Sequence, residues 1–182
     1  MDIVEKQGIA IISESPEELA ELAKDVNWSV RHAVAENRYT TAEILMQLAE
    51  DPNKLVRGAV ALNPQTSAEL LAKLAKDQEV YVRCAVIANP QTSAEVLAEL
   101  AKDQSKFIRG AVAMNSLISP EILTQLAKDE YPNVRGFVAE NPHTPPEVLS
   151  DLANDRDYYV RCTAEHYLMK KQAEDESAEM SM

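Results

Sequence analysis

The stretch Val56-Arg57-Gly58-Ala59-Val60-Ala61-Leu62-Asn63-Pro64-Gln65-Thr66-Ser67-Ala68-Glu69-Leu70-Leu71-Ala72-Lys73-Leu74-Ala75-Lys76-Asp77 decides the fold. It returns 26 residues later as Val82-Arg83 through Lys102-Asp103, with most positions unchanged. Working outward, Arg recurs at Arg31, Arg57, Arg83, Arg109, Arg135 and Arg161, and Asp at Asp25, Asp51, Asp77, Asp103, Asp129 and Asp155. The series from Leu19 to Leu149 and from Leu22 to Leu152 keep the same step without a slip. A fixed period in this range is the signature of a tandem array. The frame gives six copies, 15–40, 41–66, 67–92, 93–118, 119–144 and 145–170, between a capping leader at 1–14 and an acidic tail at 171–182.

Each copy reads as two helices. Glu69-Leu70-Leu71-Ala72-Lys73-Leu74-Ala75-Lys76 consists of strong helix formers with apolar residues at helical spacing. Thr40-x-x-Glu43, Thr66-x-x-Glu69, Thr92-x-x-Glu95 and Thr144-x-x-Glu147 have the form of a capping box, as does Ser15-x-x-Glu18, and Ser119 before Pro120 caps the fifth copy. The second helix, Val56 to Asn63, is short enough to be α or partly 3₁₀. Asn-Pro closes it, because the residue before Pro is pushed out of the α region. No copy can bury its apolar face alone, so neighbours must stack. The leader residues Ile3, Val4, Ile9, Ile11 and Ile12 are expected to cover the first copy. The tail is expected to lack order.

The pattern Asp-x4-Val-Arg-x-Ala-Val-Ala-x-Asn-Pro-x-Thr-x2-Glu-Leu-Leu-x2-Leu-Ala resembles the leucine-rich repeat variant family over all six copies. The resemblance implies an all-α, right-handed superhelical solenoid related to HEAT and armadillo arrays, in which a long α-helix alternates with a short α or 3₁₀ helix. It implies macromolecular binding and no shared catalytic residues. Some relatives carry an upstream cysteine-rich segment holding an iron–sulfur cluster. No cysteine precedes Cys84 here, so that cofactor is not carried over, and none is expected.

Composition narrows the function. Only 4 Gly occur, which disfavours a fold built on phosphate-cradling loops. The net charge of −12 disfavours non-specific binding to DNA or to acidic membranes. No apolar run approaches the roughly 20 residues that span a bilayer, and no signal segment opens the chain, so the expected location is cytoplasmic. Cys84 and Cys162 lie three copies apart and should not pair. The three His are scattered, so no metal site is expected, and no catalytic motif is present. The chain is therefore read as no enzyme.

Positions repeated six times do one job six times. The Arg and Asp series form a structural ladder on this reading, with phosphate contacts as the alternative. Charge per copy runs −2, −1, 0, 0, −2, −2, which gives no basic stripe beside it. Specific binding should sit where copies differ. Six of the nine aromatics fall in the loop phase after each Asp: Trp28, Tyr81, Phe107, Tyr131, Tyr158 and Tyr159. The outer row of the second helix varies too, from Glu36 and Leu62 through Ala88 and Met114 to Glu140 and His166. Small residues at 58, 84, 110, 136 and 162 suggest that the second helices approach closely and line a concave face. The candidate protein-binding residues are Trp28, Leu55, Leu62, Tyr81, Phe107, Met114, Tyr131 and Tyr158, with Ile87 near the centre of the patch. The expected function is a protein-binding scaffold whose acidic ends favour a partner with a basic segment. Nucleic-acid binding along the arginines is the alternative, and self-association through the patch is a third reading.

Overall fold

The computed structural model describes residues 1–179, with side chains through residue 173. It contains thirteen α-helices among the described residues and no strand. These are α1 (Ile3–Ile12), α2 (Pro16–Leu22), α3 (Trp28–Glu36), α4 (Ala42–Leu48), α5 (Lys54–Leu62), α6 (Ala68–Leu74) and α7 (Val80–Ala88). They continue as α8 (Ala94–Leu100), α9 (Lys106–Met114), α10 (Pro120–Leu126), α11 (Pro132–Glu140), α12 (Pro146–Leu152) and α13 (Tyr158–Glu179). The chain is an α-solenoid, and it divides into two compact units at Val96 and Leu97, within α8.

The lengths differ from the expectation of a long helix followed by a short one. The leucine-bearing helices α2, α4, α6, α8, α10 and α12 have 7 residues each. The arginine-bearing α3, α5, α7, α9 and α11 have 9 and are wholly α. The tighter geometry sits at the end of the first helix instead. Lys24 and Asp25 donate to the carbonyls of Glu21 and Leu22, three residues back, and the same bonds recur in later copies. Asp25 then accepts from the Asn27 backbone N–H at 2.8 Å, which turns the chain into α3. The loop after Asp25 is thus only Val26 and Asn27, and Trp28 and Ser29 form the first turn of α3. No described residue has a positive φ, in keeping with the few glycines.

Caps also fall one residue later than the threonine reading placed them. Ser15, Thr41, Ser67 and Ser119 accept from the N3 backbone of α2, α4, α6 and α10, and Ser93 does so for Val96. Pro145 holds the equivalent place in the sixth copy without a side-chain bond. The threonines expected to cap are buried. Thr40, Thr66, Thr92 and Thr144 donate their hydroxyls to the carbonyls of Val34, Val60, Val86 and Val138, six residues back. They tie the end of each nine-residue helix to the last residue of its own copy, just before the next cap.

Both leucine series are buried in every copy, together with Val30, Val34, Val56, Val60, Val82, Val86, Ile108, Val112, Val134 and Val138. Each such side chain contributes about 1.5–3 kcal/mol relative to exposure. The nine-residue helices stack face to face within each unit, joined by α1 and α13 at the ends: α1 on α3 on α5 on α7, and α9 on α11 on α13. The leader thus supplies α1 as the first member of that row. It does so through Ala10, which is fully buried, and not through the isoleucines expected to do it. Ile3, Val4, Ile11 and Ile12 are exposed, and Ile9 is only partly covered.

Asparagine, rather than proline, ends each nine-residue helix. Helices α3 and α9 stop before Asn37-Arg38 and Asn115-Ser116, where no proline follows. In each copy the asparagine carbonyl oxygen accepts from the backbone N–H two residues on, as in Gln65 N–H to Asn63 at 2.8 Å. Its amide reaches back into the preceding copy. Asn63 Nδ2 donates to Ala35 O at 2.7 Å and Asn37 O at 2.9 Å. Asn37 does the same to Ala10 and Ser13, Asn89 to Ala61 and Asn63, and Asn141 to Ala113 and Asn115. In the sixth copy Tyr167-Leu168 replaces Asn-Pro, nothing stops the helix, and α13 runs on to Glu179. The tail expected to lack order is therefore helical from 171 to 179, with residues 180–182 outside the described residues.

Asn63→Ala should cost about 2–4 kcal/mol in urea unfolding, because two buried carbonyls lose their donor. The exposed Gln65→Ala should stay within about 0.5 kcal/mol.

Candidate functional site

The arginine series is built into the scaffold. In α3, Arg31 Nε and Nη2 donate to the two carboxylate oxygens of Asp51 in the next copy, at 2.5 and 3.0 Å. Its Nη1 donates to the carbonyls of Asp25 at 2.7 Å and Val26 at 3.1 Å. Arg57 meets Asp77, Arg109 meets Asp129 and Arg135 meets Asp155 in the same two-pronged way, each with Nη1 on the turn of its own copy. Each arginine fork thereby gives all three of its nitrogens to the protein. At the start of the array Lys6 takes the arginine's role and pairs with Asp25 at 2.5 Å. At the end, Arg161 donates to the Asp155 carbonyl at 2.7 Å and lies over the Tyr158 ring.

Several of these pairs shift their carboxyls. Asp155 titrates below its ordinary value because Arg135 bonds it, against an opposing push from burial. For Asp77 and Asp129 burial is the largest influence and pushes upward. The arginine and a backbone N–H together outweigh it, and both end below the usual range. Lys6 lowers Asp25 likewise.

The loop-phase aromatics, grouped as one feature by sequence, go to different places. Tyr81 of α7 and Tyr159 of α13 lie on the preceding nine-residue helix, where Gly58 and Gly136 leave room for the ring. A Cβ on Gly136 would stand 2.7 Å from Tyr159 Cε1, and one on Gly58 would overlap the Tyr81 ring. Asn133 occupies the tyrosine's phase in the fifth copy, and Phe137 covers Gly110 instead. The small residues therefore seat aromatic rings from the following copy. Tyr131, at the start of α11, turns toward the ladder, with Lys106 Nζ 4.7 Å and the Arg109 guanidinium 5.6 Å from its ring centre. Trp28 opens α3, half-exposed and edge-on to His32. Tyr158 opens α13 and is exposed.

Of the remaining candidates, Leu62 and Met114 end α5 and α9 and are 49% and 61% exposed. Phe107 is 70% exposed, beside Lys106, and Leu55 is half-buried. Ile87 does not join this row, because it is 5% exposed and packs in the core. Within the first unit Leu62 and Tyr81 line one cleft of about 220 Å³, with Ala59 and Pro64 as further walls and His32 and Glu36 at its edge. Within the second unit Phe107 and Tyr131 share Lys106. The described residues include no cluster of metal-binding side chains and no helix long and apolar enough to cross a membrane. Neither Cys84 nor Cys162 is part of a disulfide among the described residues.

Sequence reasoning missed Lys6 and the asparagine series. The latter was available as Asn37, Asn63, Asn89, Asn115 and Asn141 at the repeat step, with Tyr167 breaking it.

Residues 132–157 match the model of the leucine rich repeat variant family. No curated protein sequence matches the chain. Among solved structures, the chain is similar to a leucine-rich repeat variant described as having a novel repetitive structural motif. That match has a TM-score of 0.75 and 26% identity, over 92% of this chain. The chain spans 66% of that protein's length. It also shares its fold with YibA of Escherichia coli, at a TM-score of 0.57 and 21% identity over 92% of this chain and 74% of that one. The stretch at 132–157 is thus of the leucine-rich repeat variant type, and the solved structure carries the likeness of fold over most of the chain.

Two outcomes follow from this geometry. Asp77, Asp129 and Asp155 are depressed in the fold, so their contribution is fully present above the unfolded value of about 3.9 and is lost as pH falls through the folded values. The melting temperature, followed by circular dichroism, should therefore be nearly level from pH 5 to 8 and drop below about pH 4. Gly58→Ala should displace the Tyr81 ring and cost about 1–3 kcal/mol in denaturant unfolding, with the ring more accessible to quenchers.

Proposed function

We propose that this leucine-rich repeat variant solenoid is a non-catalytic scaffold that binds another protein through the outer row of its nine-residue helices. The observation that carries this is a division of labour among the residues. The recurrent arginine, aspartate and asparagine side chains described above are spent on joining copies. The apolar side chains left in solvent, Leu62 with Tyr81 in one unit and Phe107 with Met114 in the other, stand where copies differ. Apolar anchors ringed by polar residues are the usual anatomy of a protein interface, and aromatic residues are favoured as its anchors. Trp28, Leu55, Tyr131 and Tyr158 are assigned to the same binding surface on this reading. The arginine fork, already bonded on all three nitrogens at Arg57, favours a protein partner over a nucleic acid. The net charge of −12 favours a partner with a basic segment. Two cysteines outside any disulfide suit the reducing cytoplasm.

The test is a pull-down from the source cells, with and without nuclease, using the wild type and a Leu62→Ala/Tyr81→Ala variant matched for helical circular dichroism. A nuclease-resistant partner retained by the wild type should fall at least tenfold with the variant, as for a pair of interface anchors. Retention by both proteins, or recovery of nucleic acid, would overturn this assignment.

A further inference from the structure

The repeat supplies its own control for the cleft between Leu62 and Tyr81. Three copies later the same positions belong wholly to the second unit, and they are filled. Phe137 replaces Ala59, and its ring lies on Gly110, with Cδ2 3.1 Å from the position a Cβ there would take. Glu140 replaces Leu62 and accepts the Tyr159 hydroxyl at 2.6 Å. In the first unit Ala59 leaves the space open, and about 220 Å³ remains. That is below the roughly 300–1,000 Å³ of sites for drug-sized ligands, and it suits one long side chain.

The chemistry of the lining selects which one. Glu36 is its one formally charged residue other than His32, and its side chain is 61% exposed. One carboxylate oxygen lies 3.3 Å from His32 Nδ1, and the other remains able to accept from a partner. The Asn63 amide, also in the lining, is spent on Ala35, Asn37 and Gln65. Ala59, Leu62 and Pro64 are apolar walls that suit a methylene stem. The Tyr81 ring offers a face to a cation.

We propose that this cleft receives an arginine side chain of the protein partner, with its guanidinium against Glu36 and the Tyr81 ring and its stem along Leu62. Arginine is chosen over lysine because a planar, weakly hydrated guanidinium both stacks on an aromatic face and meets a carboxylate. The assignment rests on the protein-binding reading of this surface and names the chemistry that the surface recognises.

The experiment is an NMR titration of the full chain with capped pentapeptides Gly-Gly-X-Gly-Gly, where X is Arg, Lys or Leu, read at the amides of Ala59, Leu62 and Tyr81. The Arg peptide should bind severalfold tighter than Leu. Glu36→Gln should weaken the Arg peptide about three- to fivefold, the range of an exposed ion pair, and leave Leu unchanged. Ala59→Phe, which copies the filled cleft of the second unit, should abolish the shifts for all three. Equal or tighter binding of Leu, or indifference to Glu36→Gln, would overturn the arginine assignment and leave the surface as an apolar protein-binding site. No shift with any peptide at millimolar concentration would also overturn it. The pull-down with Leu62→Ala/Tyr81→Ala then reports separately on the broader reading.

Discussion

The amide of Asn63, donating backward to Ala35 and Asn37, and the fork of Arg57, grasping forward to Asp77, hold one copy between its two neighbours. A 26-residue repeat of one 7-residue and one 9-residue helix is too small to bury its own leucines and valines. Burial comes only from neighbours, and hydrophobic contact by itself is indifferent to small slips along a smooth helix row. The two polar ladders remove that freedom. They bond to backbone carbonyls and carboxylates at fixed positions, and a shifted neighbour would leave buried donors and acceptors without partners. No described buried side-chain nitrogen or oxygen lacks one.

This arrangement also explains how the array begins and ends. Lys6 on α1 supplies the first ladder cation, and Ala10 and Ser13 supply the carbonyls that Asn37 needs. The leader thus imitates a nine-residue helix without repeating its sequence. At the other end the asparagine is absent, α13 does not stop, and Lys171 donates to the Thr144 carbonyl at 2.6 Å. With joining assigned to recurrent residues, the outer row is free to vary. It varies from Glu36 to Leu62 to Met114 to Glu140, changing surface character while the join stays the same.

Much of this was legible without coordinates, because an internal repeat compares six environments at once. The period, the leucine core and the two-helix copy followed from spacing alone. Cap positions did not, since Thr66 and Ser67 are adjacent hydroxyl residues and either could face the N3 backbone. Only packing decides that Thr66 is buried on Val60 while Ser67 caps α6. The stop signal at Asn63-Pro64 was read from the proline, and copies with Asn37-Arg38 and Asn115-Ser116 point to the asparagine instead. The aromatics were harder still. Tyr81 and Tyr131 are two residues apart in phase, and that offset on a helix sends one to Gly58 and the other to Arg109.

The central claim is that recurrent polar pairs act across copies as joints, not as surface decoration. A double-mutant cycle on Arg57 and Asp77, with Arg57→Met, Asp77→Leu and the double variant unfolded in urea at neutral pH, measures this directly. The account predicts a coupling energy of about 2 kcal/mol, as for contacting groups in one buried network. A coupling under about 0.5 kcal/mol, the level of an exposed ion pair, would contradict it.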